Sequence, residues 1–164
     1  LNVCSSTIIY GKKFDSKLGK IYENLFDECK NTKNINYLGF LENKKIIELL
    51  NKMHIFTHPS IWPETSCIAA IESMAAGCEV VTTNLGALYE TCSPFATFVN
   101  FDRNFNNLEK KYKKTLLESI KNYWSKENQN KLKLQRETIN LMYSWETRSI
   151  EWKKFFNELR NLKN

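Results

Sequence analysis

The chain has 164 residues, 42% of them hydrophobic, without an apolar run of about 18 residues or a signal-peptide pattern, so one globular domain is expected. The net charge of +6 comes from residues 101–164, which carry 15 basic and 8 acidic side chains, whereas residues 1–100 carry 9 and 10. Five scattered cysteines form no C-x-x-C pair, which favours reduced thiols in a cytoplasmic protein over disulfides or a zinc site.

Strand and helix patterns alternate through the first hundred residues. In order, they predict a strand at 2–10, a helix at 14–32, a strand at 35–40, a helix at 42–53, a strand at 54–60, a helix at 65–77, and strands at 78–84 and 94–99. Gly77 stands where a helix C-cap belongs. Strands that alternate with helices indicate βαβ units, and therefore an α/β fold with a parallel sheet.

Residues 104–164 contain no Gly, no Pro and no strand pattern, so they predict a helical segment that follows a core over residues 1–103. Three helices are expected, at 105–124, 127–142 and 145–162. The last holds many apolar residues, among them Trp152 and Phe156, and should pack on this domain or on a domain outside the chain.

The basic residues of the helical segment are interleaved with Glu and Asn, which is typical of a solvated helical surface. Peripheral contact with an anionic membrane surface is the alternative. Nucleic-acid binding is not expected, because the aromatic residues follow helical spacing rather than a stacking pattern. A dehydrogenase or a P-loop kinase is excluded by the absence of G-x-G-x-x-G and G-x-x-x-x-G-K.

Glu64 directly precedes the predicted helix at 65–77, and Glu72 lies within it. Glu72 is surrounded by small and apolar residues, although carboxylates are almost never fully buried without a partner. Eight helical residues rise about 12 Å, which is the scale of a nucleotide-diphosphate sugar. Thr65 or Ser66 could cap the helix, and its N-terminus would offer N–H groups to a phosphate at the ligand-binding edge of the sheet.

One carboxylate could then bind sugar hydroxyls and the other the ribose diol, since charge-assisted hydrogen bonds are strong. Spacing alone leaves another interpretation open. Glu64 could be a capping acid, and Glu72 could be exposed on a helix that merely lacks other polar residues.

The stretch HPSIWPETSCIAAIESMAAGCEVVTTNLGALYE, residues 58–90, carries a longer pattern. It contains a Pro-Ser loop, E-x7-E, a helix of small residues, a glycine, a β-strand and Gly-x-x-x-Glu. This pattern resembles the C-terminal nucleotide-sugar domain of GT-B fold glycosyltransferases, in particular the retaining family 4, the glycosyl transferases group 1. The resemblance is good over residues 1–100 and loose beyond them, and it implies a Rossmann-like parallel sheet flanked by helices.

The resemblance also implies roles for individual residues. Glu64 would be the catalytic residue that contacts the donor sugar, and Glu72 would bind the ribose hydroxyls. Further donor-binding positions near the sugar, the diphosphate or the base are Pro59, Ser60, Thr65, Ser66, Cys67, Gly39, Phe40 and Leu41. Cys67 departs from the Gly found in many members. Three further positions are possible site residues: Lys12 and Lys13 could assist at the diphosphate, and Glu90 could approach the substrate. The alternative for all three is an exposed surface position.

The implied activity is the retaining transfer of a sugar from a nucleotide donor, expected to be a UDP- or GDP-sugar, to an acceptor hydroxyl. No cofactor and no metal is expected, since His54 and His58 lie in a strand pattern without the Glu of a metalloprotease motif. The alternative function is a non-catalytic module of the same fold that binds a nucleotide or a partner protein.

The expected partner is the N-terminal GT-B domain of the same full-length chain. The first βα unit of such a domain, with its diphosphate-binding Arg and Lys, is expected to precede Leu1. On its own, the chain is therefore expected to bind donor weakly and not to turn over. A cytoplasmic location is expected, with peripheral membrane contact as an addition.

Overall fold

The computed structural model of the protein describes residues 1–6 and 17–162, with side chains from residue 22 onward in the second range. The chain divides into two compact units, Leu1–Ile46 and Ile47–Asn164. Lys12 and Lys13 lie outside the described residues.

The first unit contains a short parallel strand pair and a helix. Strand β1 (Asn2–Val3) pairs with β2 (Asn36–Tyr37), and α1 (Lys17–Asn31) connects them. Phe26 on α1 stacks on the Tyr37 ring with centroids 5.2 Å apart, and this contact packs the helix on the strand. Helix α2 (Asn43–Leu50) follows β2 in the chain.

The second unit is built on a parallel sheet of three strands in the order β3 (Ile55–His58), β4 (Glu79–Thr83) and β5 (Thr97–Val99). Helix α3 (Ile68–Ala76) connects β3 to β4, and α4 (Leu88–Cys92) connects β4 to β5. Three helices then follow: α5 (Phe105–Asn122), α6 (Lys126–Met142) and α7 (Trp145–Asn161). The predicted α/β class, with parallel strands flanked by helices, is confirmed.

Strand β4 is buried along its whole length, as expected for a central parallel strand with both faces covered. Successive side chains of a strand point to opposite faces. Val80 accordingly packs with Met74 of α3, whereas Val81 packs with Leu108 and Tyr112 of α5. The core of this unit is therefore two apolar layers, one on each side of the sheet.

A buried hydroxyl ties α5 to the sheet. The Tyr112 hydroxyl donates a hydrogen bond of 2.5 Å to the Val81 carbonyl and lies 2.9 Å from the Thr57 hydroxyl. Burial raises the pKa of Tyr112 to about 12, so the hydroxyl remains a donor at physiological pH.

A buried amide ties α6 to the end of α3. Gly77 has a left-handed backbone (φ 92°) and ends α3, as predicted. The fully buried Gln135 donates through Nε2 to the carbonyls of Met74 and Cys78, at 3.2 and 2.8 Å. These carbonyls belong to the helix end and the residue before β4, where backbone acceptors need a partner.

Helix α7 has no buried residue. Its apolar side chains are exposed on the described chain, including Trp145 at 86% and Trp152 at 55%. The sequence predicts that this helix packs on the present domain or on another one, and the described residues do not cover it. None of the helices in the described ranges combines the length and hydrophobicity that a membrane crossing requires.

We predict that Gln135→Met lowers the free energy of unfolding by about 1–3 kcal/mol, because the Cys78 carbonyl loses this donor and the Met74 carbonyl keeps only the Gly77 N–H. Urea denaturation, compared at unchanged m-value, measures the loss. The control is Glu137→Gln on the exposed face of the same helix, for which a change within about 0.5 kcal/mol is expected. Wild-type stability in Gln135→Met would show that these hydrogen bonds do not hold α6 on α3.

Candidate functional site

The loop that leaves β3 is fixed by Ser60, which is 8% exposed. Ser60 N–H donates to the His58 carbonyl at 2.8 Å, and Ser60 Oγ donates to the Trp62 carbonyl at 2.9 Å. The Thr83 hydroxyl, at the end of β4, donates to the Ser60 carbonyl at 2.7 Å. This loop is therefore bound to the carboxyl ends of two strands, where ligands of open α/β sheets bind.

The next part of the loop lies against the turn after β4. Glu64 and Gly86 form a parallel β-bridge, and Ala87 N–H donates to the Glu64 carbonyl at 2.8 Å. Gly86 has a left-handed backbone (φ 63°), and a Cβ at this position would lie 2.6 Å from both the Glu64 N and O atoms. Only glycine permits this approach, so Gly86 sets the position of the Glu64 backbone.

The Glu64 carboxylate lies beside a histidine and a cysteine. Its Oε1 is 3.4 Å from His58 Nε2, and both side chains are about 30% exposed, at 29% and 28%. The ligand atoms of Glu64, His58 and Cys67 all lie within 4.8 Å of one another. The two side chains approach each other without forming a hydrogen bond, since the buried His58 Nε2 has no hydrogen-bond partner in the described chain.

Cys67 is the N-cap of α3, and no side chain makes a capping hydrogen bond there. The prediction that Thr65 or Ser66 caps this helix is therefore wrong, because the helix begins one residue further on and both side chains are exposed. Burial raises the pKa of the Cys67 thiol, and the negative charge of Glu64 adds to this, whereas the Ala70 N–H opposes it. The backbone N–H groups at the start of α3 therefore receive no side-chain cap.

Glu72 has different neighbours from Glu64. It is half-buried, one turn into α3, and lines a cavity of about 270 Å³ between α2, α3 and α6. Two polar side chains of α6, Arg136 and Asn140, line the same cavity. The side chains around Glu72 can therefore offer a carboxylate, a guanidinium and an amide to one ligand.

The structure places the other predicted residues as follows. Pro59, Ser60, Thr65, Ser66 and Cys67 lie together with Glu64 on the segment between β3 and α3, and Glu90 is exposed on α4. Gly39, Phe40 and Leu41 follow β2 in the first unit, and Gly39 has a φ of 64°.

The sequence pattern relates His58 to His54 and does not indicate its contact with Glu64. His54 instead lies against the rings of Tyr123 and Trp124, with centroid distances of 5.1 and 5.4 Å. The one indication in the sequence that His58 lies near the candidate site is that it directly precedes the Pro-Ser loop. It did not show which neighbour the ring would meet.

The family model described as "Glycosyl transferases group 1" matches residues 6–134, which is most of the chain and includes the loop and helix described above. No curated protein and no solved structure gives a significant match.

We predict that Gly86→Ala destabilises the protein more than Gly77→Ala does. Both glycines have positive φ, so an alanine at either costs about 1–2 kcal/mol. At Gly77 the new methyl group meets only Arg136 Cδ at 3.6 Å, whereas at Gly86 it collides with the Glu64 backbone. Urea denaturation gives the two losses, and the amide shifts of Glu64 and Ala87 in NMR spectra report the displacement. Equal losses with unshifted amides would contradict this close approach.

Proposed function

The chain belongs to the glycosyl transferases group 1, and from this premise we propose that it binds a nucleotide-diphosphate sugar through the segment around Glu64. Family membership assigns glycosyl transfer as the general activity. The donor class, the residue roles and retention of anomeric configuration are the proposal.

One observation carries the proposal. The Glu64 carboxylate is partly exposed at the carboxyl ends of β3 and β4, and it accepts no hydrogen bond from the described residues. An ionised carboxylate can accept several hydrogen bonds, so this group retains the capacity to bind two adjacent sugar hydroxyls. Its backbone is held by Gly86 and Ala87, so the carboxylate is presented from a fixed position.

The N-terminus of α3 supports a place for the diphosphate. Thr65 and Ser66 precede it as exposed residues, and the helix begins at Ile68 without a side-chain cap. Free N–H groups and the positive end of the helix dipole favour a bound phosphate. We assign the pyrophosphate to this end, next to the sugar on Glu64.

Glu72 is assigned to the ribose hydroxyls. It lies four residues after Ile68, which corresponds to a rise of about 6 Å along the helix axis. A nucleotide that extends from the helix N-terminus along α3 would bring its ribose to this level. The different neighbours of the two glutamates fit this division of roles, with one carboxylate for each end of the donor.

In the proposed reaction, the bond between the anomeric carbon and the β-phosphate oxygen breaks, and the electron pair leaves with the diphosphate. The acceptor hydroxyl bonds to the anomeric carbon on the same face, and its proton passes to the leaving diphosphate oxygen. The α3 N-terminus stabilises charge on the leaving diphosphate, and Glu64 holds the oxocarbenium-like sugar in place. An N-terminal domain of the full-length protein would supply the acceptor site.

We predict that Glu64→Gln and Glu72→Gln affect ligand binding differently. Glu72→Gln should weaken both the nucleotide sugar and the bare nucleoside diphosphate about tenfold or more, because a charged hydrogen bond contributes about 1.5–3 kcal/mol. Glu64→Gln should weaken the nucleotide sugar alone. Saturation-transfer NMR titrations with UDP- and GDP-sugars and with UDP and GDP measure these affinities.

The matched control for these titrations is Glu137→Gln, which removes an exposed carboxylate of α6 and should bind as the wild type does. Equal weakening of sugar and bare nucleotide by Glu64→Gln would remove the sugar-contact role. Absence of any nucleotide binding by the wild-type chain would favour a non-catalytic module of the same fold.

A further inference from the structure

Three side chains that bind transition metals meet where β3, its loop and α3 join. They are an imidazole (His58), a carboxylate (Glu64) and a thiol (Cys67), with ligand atoms within 4.8 Å of one another. His58 ends β3, Glu64 lies on the loop that Gly86 fixes, and Cys67 is the N-cap of α3. Each ligand is therefore held by a different ordered part of the second unit.

From this arrangement we propose that His58, Glu64 and Cys67 form a Zn²⁺ site. Zinc bound tetrahedrally at about 2.1 Å from nitrogen and oxygen holds these two atoms about 3.4 Å apart. The distance between His58 Nε2 and Glu64 Oε1 is 3.4 Å. A zinc-bound sulfur would lie about 3.6 Å from the nitrogen, and the present separation is at most 4.8 Å, so closing the site around the metal needs a side-chain movement of roughly 1.2 Å or less.

The imidazole gives an independent reason for a ligand at this position. His58 Nε2 is buried and has no hydrogen-bond partner in the described chain, although buried polar atoms almost always have one. The ring is held parallel to Phe56, with an interplanar angle of 13° and centroids 5.9 Å apart. A metal between Nε2 and the Glu64 carboxylate would satisfy the nitrogen without moving the ring.

The ligand set selects the class of metal. A thiolate with an imidazole suits Zn²⁺, whereas Mg²⁺ and Ca²⁺ prefer oxygen ligands throughout. Two anionic ligands would balance the two positive charges, and the thiol proton of Cys67 would leave to solvent as the Zn–S bond forms. Three protein ligands leave the fourth position for water, and the partial exposure of His58 and Glu64 gives solvent a path to it.

Zinc at this site would use the same Glu64 carboxylate that the donor sugar is proposed to contact. On the basis of the proposed function, zinc and the donor sugar are therefore mutually exclusive ligands, and zinc acts as a reversible inhibitor of donor binding. The bare nucleoside diphosphate, which does not need Glu64, should compete with zinc less strongly than the nucleotide sugar.

The test is a titration of the whole chain with Zn²⁺ and, as a spectroscopic probe, with Co²⁺. Binding of one Zn²⁺ per chain is expected, and the Co²⁺ form should show a thiolate-to-cobalt charge-transfer band. His58→Gln and Cys67→Ala should each weaken Zn²⁺ binding at least about a hundredfold, beyond the effect typical of residues that only orient a ligand. Cys67→Ala should also abolish the band.

The chain offers matched controls for both variants. His54→Gln removes the other histidine and Cys29→Ser removes a thiol of the first unit, and both should bind Zn²⁺ as the wild type does. Because Cys67 is buried and its variant could unfold, His58→Gln provides the second measurement, with circular dichroism as the check on folding.

The proposal is overturned if the wild-type chain shows no thiolate band, if the band persists in Cys67→Ala, or if His54→Gln and His58→Gln lose zinc equally. Zinc binding without any nucleotide binding would leave the metal site standing and remove the proposed donor function. Nucleotide-sugar binding without zinc binding would do the reverse.

Discussion

The arrangement at the carboxyl edge of the sheet depends on one close approach between backbones. Gly86 lies so near to Glu64 that an added Cβ would be 2.6 Å from two backbone atoms of Glu64. The Ala87 N–H also donates a hydrogen bond to the Glu64 carbonyl. Glu64 is thereby held between the end of β3, where His58 lies, and the start of α3 at Cys67. This backbone contact places the Glu64 carboxylate beside His58 and next to the N-cap of α3.

Much of the fold follows from local sequence patterns. Helices α5, α6 and α7 end within about two residues of their predicted limits, because long periodic segments with serine or asparagine caps are specified locally. Strands β2 to β5 are shorter than predicted, since a strand lasts only where a neighbour pairs with it, and part of the predicted strand at 2–10 lies outside the described residues. Gln135 could not be predicted as buried, because its surroundings come from the end of α3, about sixty positions earlier in the chain.

The candidate site could be predicted from the sequence only in part. Glu64, Glu72 and Gly86, the glycine after β4, could be found from the sequence, because their spacing is short and fixed by one strand–helix–strand unit. The helix start was mispredicted at Thr65 or Ser66, because Thr and Ser are common N-cap residues, whereas the helix begins at Ile68 with Cys67 as its N-cap. The neighbour of the Glu64 carboxylate depends on side-chain orientation at the end of β3. No periodicity encodes that orientation.

Two carboxylates at opposite ends of the same sheet show why Glu64 stands out. Glu79 begins β4, is 3% exposed, and accepts hydrogen bonds from Thr97 Oγ1 at 3.2 Å and Asn128 Nδ2 at 3.1 Å. Neutral donors thus satisfy its buried charge, and its role is explained within the fold. Glu64 lies at the other end, where the bridge to Gly86 holds its backbone, yet the described residues give it a histidine at 3.4 Å and no hydrogen bond. A carboxylate whose position is fixed by the fold and whose acceptors are not used by the described residues is available to the ligands proposed for it. For either proposed ligand, a sugar or a metal ion, the fold already holds the Glu64 backbone in position.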